Sequence, residues 1–462
     1  MRVHFLCDQK WRDLPTIAAL KVLLEARGVR VSVASSKETF ALLPLIRPDA
    51  VVLNHMHSRR HERLSAALRA ADVAVIVLPT EGKGEPAVDR LCWGDFHDYS
   101  NIDLMLCWNE RSARNLVALG RIPESGVALV GCTRYDYYRR PWFGVVPGRA
   151  AYCARHGLDP AVPIVTWTTK FGYARIHGDP AAMRAFESQI EELKVAPCYD
   201  EIGFDWRQLP RVHHQNRVEQ AKGFFAVARA RPSIQFVVKP HPTEERAFYE
   251  RHIAEFGLKN VRLVYGEYIW DVLDSTDVLL QQRCSTAVEG WLLDKPSIEM
   301  KLHDERELAW PEYEAGSHKA ETADAMIALV DRFLAGPEEI DDAMRAARAE
   351  AVREFAWKVD GRRSSAAADA IVALLDRRVG RVPRPRARDL ELGLRNVAAI
   401  ALRYAAGVRA NMSWGEHFFG RRGARAASVA AQLDKEVSRY DVARYAGRLR
   451  ALGIGANPES YF

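Results

Sequence analysis

Twice along the chain, short apolar runs alternate with segments long enough for a helix, and this repetition limits the fold more than any other feature. Up to about residue 140 the runs are RVHFLC, VRVSVAS, AVVLNH, VAVIVLPTEG, DLMLCWN and VALVGC. After a Gly- and Pro-containing stretch, PWFGVVPGRA, they resume as IVTWTTK, IQFVVKPHP, VRLVYG, DVLLQQ and PSIEM. Short β-branched and aliphatic runs spaced by helix-length segments predict a parallel sheet with helices on both faces. The doubling predicts two such sheets, each with its own core, and 462 residues at 48% hydrophobic content suffice for both. The fold class is therefore α/β. The expected division is a Rossmann-like domain over residues 1–145, a second over 146–379 and, starting within the linker GRVPRPRARDL, a basic helical appendage over 380–462. Residues 172–215 show no clear periodicity and read as a long irregular insert in the second domain.

The net charge of +6 is unevenly spread, since from Gly380 onward there are 15 Lys and Arg against 7 Asp and Glu, leaving the body slightly acidic. With an acidic body and no nucleic-acid fold visible in the tail, no nucleic-acid partner is expected. Arg381, Arg384, Arg386 and Arg388, followed by the apolar Val397, Ile400, Leu402 and Tyr404, suit docking on an anionic inner-membrane face. A basic cap packed on the body is the plainer alternative. Seven singly placed cysteines with no CxxC pair fit reduced thiols and argue against a disulfide scaffold or structural zinc. The apolar run at the N-terminus is too short for a signal peptide, and no segment reaches the roughly 18 apolar residues of a membrane span. A cytoplasmic protein, at most peripheral on the inner membrane, is expected.

In an open α/β sheet, ligands bind beyond the carboxyl ends of the strands. Polar residues at or just after the apolar runs are thus the candidates. In the second half these are Thr168, Thr169 and Lys170, then Lys239 and His241, then Glu267, and then Arg283, Ser285, Thr286 and Glu289. In the first half they are Asp8, His55 and His57, Thr80 and Glu81, and Arg134 with Asp136. Within CSTAVEGWLLDKP, Ser285 and Thr286 stand where a helix should begin. Hydroxyls and free N–H groups there suit a phosphate, and an ordinary cap with Glu289 as capping-box partner is the bland alternative. His241, held between two prolines at the end of a neighbouring strand, is placed to donate to the same phosphate.

KPHP followed by CSTAVEGWLLDKPSIEM resembles the His-Pro and Ser/Thr motif pair of bacterial GT-B transferases that use cytidine nucleotides, including capsule-type and CDP-glycerol transferases. VGCTRYD, WTTKFGYA and VDGRRSSAAADAI resemble, in order, three segments of a family of surface carbohydrate biosynthesis proteins. The likeness spans roughly residues 70–375, with Cys132-Thr133 standing where the pattern has a polar residue and Pro. It implies a GT-B glycosyltransferase, or a polyol-phosphate transferase, that builds a surface polysaccharide such as a capsule. The donor would be a nucleotide-activated sugar or polyol phosphate, with cytidine the favoured nucleotide, and the acceptor a saccharide or lipid-linked saccharide.

The resemblance assigns His241, Ser285, Thr286 and Lys239 to the donor phosphates, with His241 also catalytic. Glu289, Thr169, Lys170 and Glu267 fall at the nucleotide's periphery. Inverting transfer requires a base in the first, acceptor-side domain; Glu81 in PTEGKG is the first choice, with Asp8 and His55 in reserve. No Asp-x-Asp triplet stands at a strand end, so neither a metal nor any other cofactor is expected. Two rival functions remain open: a nucleotide-sugar 2-epimerase of the same fold, and a non-enzymatic, membrane-docked assembly factor with a vestigial nucleotide site.

Overall fold

The computed structural model describes residues 1–56, 58–79, 98–193, 195–201, 203–303, 311–378, 437 and 439–456, with 394, 395 and 398. Two compact units emerge: Met1–Gly82, Trp93–Val145 and Ala356–Phe462 form the first, and Lys83–Cys92 with Val146–Phe355 the second.

The first unit holds a six-stranded parallel sheet of β1 (Arg2–Cys7), β2 (Arg30–Ser35), β3 (Ala50–Leu53), β4 (Ala74–Val77), β5 (Leu104–Cys107) and β6 (Val127–Leu129). Its order is β2-β1-β3-β4-β5-β6, so the chain changes direction across the sheet between β1 and β3. Strands β3, β4 and β5 are buried along their whole length, which is why they read as unbroken apolar runs rather than alternating ones.

The second unit repeats the plan with β7 (Ile164–Thr168), β8 (Gln235–Lys239), β9 (Val261–Leu263), β10 (Val278–Gln281), β11 (Ser297–Met300) and β12 (His318–Ala320). All are parallel, in the order β12-β11-β10-β7-β8-β9, with the switch point between β7 and β10. Its core packs Trp167 of β7 against Phe224 in a tilted pair, ring centroids 5.0 Å apart, within a cluster that includes Phe236 and Val238 of β8. The chain thus has the GT-B fold of two Rossmann-like domains, and the helix Arg439–Ala451 stands in its C-terminal region. No helix among the described residues is long and apolar enough to cross a membrane.

Three features depart from the sequence reading. The stretch 172–215 is not irregular: it holds the helices Pro180–Leu193 and Ala196–Glu201 and the start of Leu209–Ala230. Asp179 caps the first of these, its carboxylate accepting from the N–H groups of Ala181 and Ala182. Only Phe186 and Ile190 anchor that helix in the interior, and the first half of Leu209–Ala230 buries polar residues, so neither shows an apolar period. Strand β12, His-Lys-Ala, lacks an apolar run because it is a three-residue edge strand.

The third departure concerns the end of the expected second domain. The helix Arg363–Asp376 belongs with the first unit, where Asp136 takes hydrogen bonds from the N–H groups of Arg363 (3.0 Å) and Ser364 (2.6 Å). Arg363 is ion-paired to Asp360 (2.8 Å) and donates to the carbonyl of Val130 (3.3 Å). Gly131, at φ +84°, admits this side chain: a Cβ there would lie 2.5 Å from Arg363 Cδ. The segments VGCTRYD and VDGRRSS are therefore two halves of one clamp.

Candidate functional site

The carboxyl ends of β7, β8 and β10 carry most of the candidates in the second unit. At the switch point Thr168 Oγ1 and Thr286 Oγ1 share a hydrogen bond of 2.8 Å, tying β7 to the first residue of the helix Thr286–Trp291. Ser285 precedes that helix in a helical conformation (φ −58°, ψ −17°) and its hydroxyl makes no capping bond, so the capping box does not form. Glu289, in the first turn of that helix, is buried. Lys170, half-buried one residue beyond Thr169, makes no hydrogen bond or ion pair among the described residues.

His241 sits on the surface where β8 ends. Its N–H donates to Thr169 Oγ1 and to Glu244 Oε1, both at 3.2 Å, and its Nδ1 lies 2.8 Å from Thr243 Oγ1. Glu244 organises this turn. Oε1 also accepts from the Thr169 hydroxyl (2.5 Å) and the Phe171 N–H (2.9 Å), while the Tyr249 hydroxyl donates to Oε2. Burial raises the Glu244 carboxyl above its ordinary pKa, against the pull of these hydrogen bonds. Gly172 keeps the space closed, since a Cβ there would stand 2.6 Å from Thr243 Oγ1. Nothing in PTEE distinguishes a buried Glu244 from the solvated acid usual at a helix start, so sequence reasoning passed over it.

Under the switch loop lies a second buried carboxylate. Glu299 on β11 accepts the N–H of Arg283 through both oxygens (2.9 and 3.0 Å) and the Gln281 side-chain amide (2.8 Å). It thereby holds Arg283 in a left-handed conformation, φ +45°, which a non-glycine residue seldom adopts. Burial pushes Glu299 up to about 7.

The helix Leu209–Ala230 turns His213, Asn216, Arg217 and Gln220 inward, spacings that place all four on one face. Asn216 Oδ1 accepts from Gln282 of the switch loop (2.9 Å) and from Gln220 (3.3 Å). Burial pushes His213 down to about 3, and the charges of Lys170, His241 and Arg217 add to the shift. These residues escaped the sequence reading because a polar face turned inward looks like a helix without an apolar stripe.

Two candidates are otherwise engaged. Lys239 donates to the carbonyl of Pro240 (3.4 Å). Glu267 accepts from Arg155 (3.1 and 3.2 Å) and lies 3.2 Å from His156 Nε2, both on the helix Arg149–His156.

In the first unit, Asp8 and His55 follow β1 and β3 on either side of the other switch point. Asp8 donates its N–H to Asp13 Oδ2 (3.1 Å) and its carboxylate lies 3.8 Å from the Arg12 guanidinium. The His55 ring meets His61 edge-on, centroids 4.3 Å apart. Arg134 lies over the Trp108 ring, 5.8 Å from its centroid, whereas Asp136 is consumed by the clamp. His57, Thr80 and Glu81 lie outside the described residues. Among the described residues no group of three or more His, Cys, Asp or Glu is placed to hold a metal ion.

No protein-family model and no curated protein matches the chain. Among solved structures it is similar to the UDP-GlcNAc 2-epimerase of Neisseria meningitidis bound to UDP-GlcNAc. The identity is 13%, with 81% of this chain and 100% of that one covered, at a TM-score of 0.50. S. aureus MnaA with UDP matches at 11% identity over 81% of this chain and 97% of that one, TM-score 0.49. The wall teichoic acid polymerase TagF soaked with CDPG matches at 11% over 82% and 89%, TM-score 0.47. The first of these likenesses bears on the fold, and it agrees with two Rossmann-like units in series.

Proposed function

We propose that the chain is a glycosyltransferase, or a transferase of an activated polyol phosphate, that draws on a nucleotide-activated donor to build a bacterial surface polysaccharide. Cytidine is the favoured nucleotide. The observation that carries this reading is the polar cluster at the β7/β10 switch point. There the Thr168–Thr286 bond joins the two strand ends, the Ser285 hydroxyl is left out of the cap, and Lys170 lacks a partner among the described residues. Switch points are where open α/β sheets take ligands, and hydroxyls beside a cation match a phosphate.

In this reading Lys170, Ser285 and Thr286 hold the donor phosphates, and His241 and Lys239 flank them from the end of β8. Their charge and hydrogen bonds stabilise the negative charge that grows on the departing nucleotide. Thr169 acts indirectly, fixing the His241 turn through Glu244. Glu289 serves the ribose side. Glu267, already occupied by Arg155 and His156, makes no direct contact. Glu81 remains the first choice of base for the acceptor hydroxyl, with Asp8 and His55 behind it.

The test is incubation of the full chain with CDP-, UDP- and GDP-activated sugars and with CDP-glycerol, with and without a bacterial saccharide extract as acceptor. The expected result is nucleotide release that depends on acceptor. Interconversion of donor epimers without acceptor would replace this reading by a 2-epimerase. Donors recovered unchanged from every mixture would leave the non-enzymatic alternative.

A further inference from the structure

Thr243 holds one edge of the His241 ring just beyond the end of β8. Its backbone N–H donates to His241 Nδ1 at 3.4 Å, and its hydroxyl lies 2.8 Å from the same nitrogen. A backbone N–H can only donate, so Nδ1 is an acceptor here, and the hydroxyl adds a second donor to it. A neutral imidazole with one nitrogen accepting carries its hydrogen on the other, which for His241 is Nε2. Two neighbours keep this arrangement in place. The N–H of His241 itself donates to Thr169 Oγ1 and to the buried Glu244 Oε1, each at 3.2 Å, so the backbone beneath the ring is set. Gly172 comes so close that a Cβ there would stand 2.6 Å from Thr243 Oγ1 and 3.7 Å from His241 Nδ1. The Nδ1 edge is thus lined by Thr243 and Gly172.

The two edges of the ring offer a ligand different chemistry. Ionised phosphate oxygens only accept hydrogen bonds, so an N–H attracts them and a ring lone pair opposes them. We propose that Thr243 is a positioning residue that holds His241 in the tautomer protonated at Nε2, so that the uncharged ring already presents a donor to the phosphates of the nucleotide. The inference rests on the donor site proposed above and gives His241 a single role within it. The ring lone pair is turned to Thr243 and takes no proton from the acceptor hydroxyl. His241 therefore acts by stabilising the charge on the departing nucleotide, not as the base.

The tautomer is read without any nucleotide, from proton–nitrogen correlation spectra of the full chain with isotope-labelled histidine rings. At about pH 8.5, above the ordinary titration range of imidazole, the His241 signals are identified by their loss in His241→Gln. They are expected to show Nδ1 without a hydrogen and Nε2 with one. A hydrogen on Nδ1, or an even mixture of the two forms, would overturn the proposal and leave the donor site standing. The positioning role is read by titrating CMP, CDP, UDP and GDP against Thr243→Val, which replaces the hydroxyl by a methyl, and Thr243→Ser, which keeps it. The valine variant is expected to bind about three- to tenfold more weakly, the equivalent of one hydrogen bond, and the serine variant as the wild type does. Gly172→Ala, whose Cβ displaces the Thr243 hydroxyl, is expected to weaken binding in the same direction. Undiminished binding by both Thr243→Val and Gly172→Ala would remove Thr243 from the site. A wild type that binds none of the four nucleotides would defeat the donor reading, and the role of Thr243 with it, whatever the tautomer.

Discussion

Glu299 lies beneath the loop that carries Ser285 and Thr286, and its ionisation should be visible in the stability of the whole chain. Its folded pKa of about 7 is raised above the ordinary 4.5 by burial. A raised carboxyl value means that the group's contribution is complete below about 4.5 and is lost as pH rises through 7. Glu299→Gln removes that slope. In urea melts at pH 5 and pH 8, the stability difference between the two pH values should change by on the order of 1–3 kcal/mol relative to wild type; an identical difference in the variant would contradict the assignment. The site's residues were only partly legible in the sequence. Lys170, His241, Ser285 and Thr286 stood out because they follow apolar strands. Glu244 and Glu299 did not, because the signal that marks them is burial, and a carboxylate just outside or inside a strand reads the same whether wet or dry.

Among the elements, the clamp between the end of β6 and the helix Arg363–Asp376 is the contact most exposed to test. The Asp136 carboxylate accepts from two of that helix's otherwise unpaired N–H groups, and each hydrogen bond to a charged group contributes about 1.5–3 kcal/mol. Asp136→Ala is therefore expected to lower unfolding free energy by roughly 2–4 kcal/mol, with Asp136→Asn costing less. A variant as stable as wild type in urea would remove the clamp from the account. Eleven of the twelve strands were readable from apolar runs, since buried parallel strands are nearly continuous in Val, Ile and Leu. The helices of residues 172–215 were not. A helix that turns His213, Asn216, Arg217 and Gln220 inward has the opposite hydropathy pattern from the one that identifies helices. The two motif segments of the clamp were visible separately, but their mutual contact spans more than 200 residues, and no local pattern reports it.

For the whole molecule, the basic tail divides into two parts. Its last helix, Arg439–Ala451, packs on the first unit: Val442, Tyr445, Ala446 and Leu449 are buried, and Lys10 pairs with Asp441 at 2.7 Å. That part behaves as the cap which the sequence reading held as the plainer alternative. The arginines at 381, 384, 386 and 388 and the apolar Val397, Ile400, Leu402 and Tyr404 lie outside the described residues, and membrane docking through them is a proposal. Truncation after Val379 would strip the packed helix as well, so charge replacement is the cleaner test. With those four arginines changed to Glu, pelleting with anionic liposomes at low salt should disappear while Tm stays put. Each removed cation accounts for about 1 kcal/mol near such a surface, and salt should release the wild type. Equal pelleting of both proteins would contradict docking through the linker.

Nucleotide-dependent thermal stabilisation checks the proposal that the β7/β10 switch point holds the phosphates of a nucleotide donor. The full chain and its Lys170→Ala and Thr286→Val variants are titrated with CMP, CDP, UDP and GDP, since a ligand specific to the native state raises Tm in step with its affinity. At least one nucleotide, CDP first among them, is expected to stabilise the wild type, and each variant to need about tenfold more of it for the same shift. A wild type indifferent to all four nucleotides, or variants that respond as the wild type does, would contradict it.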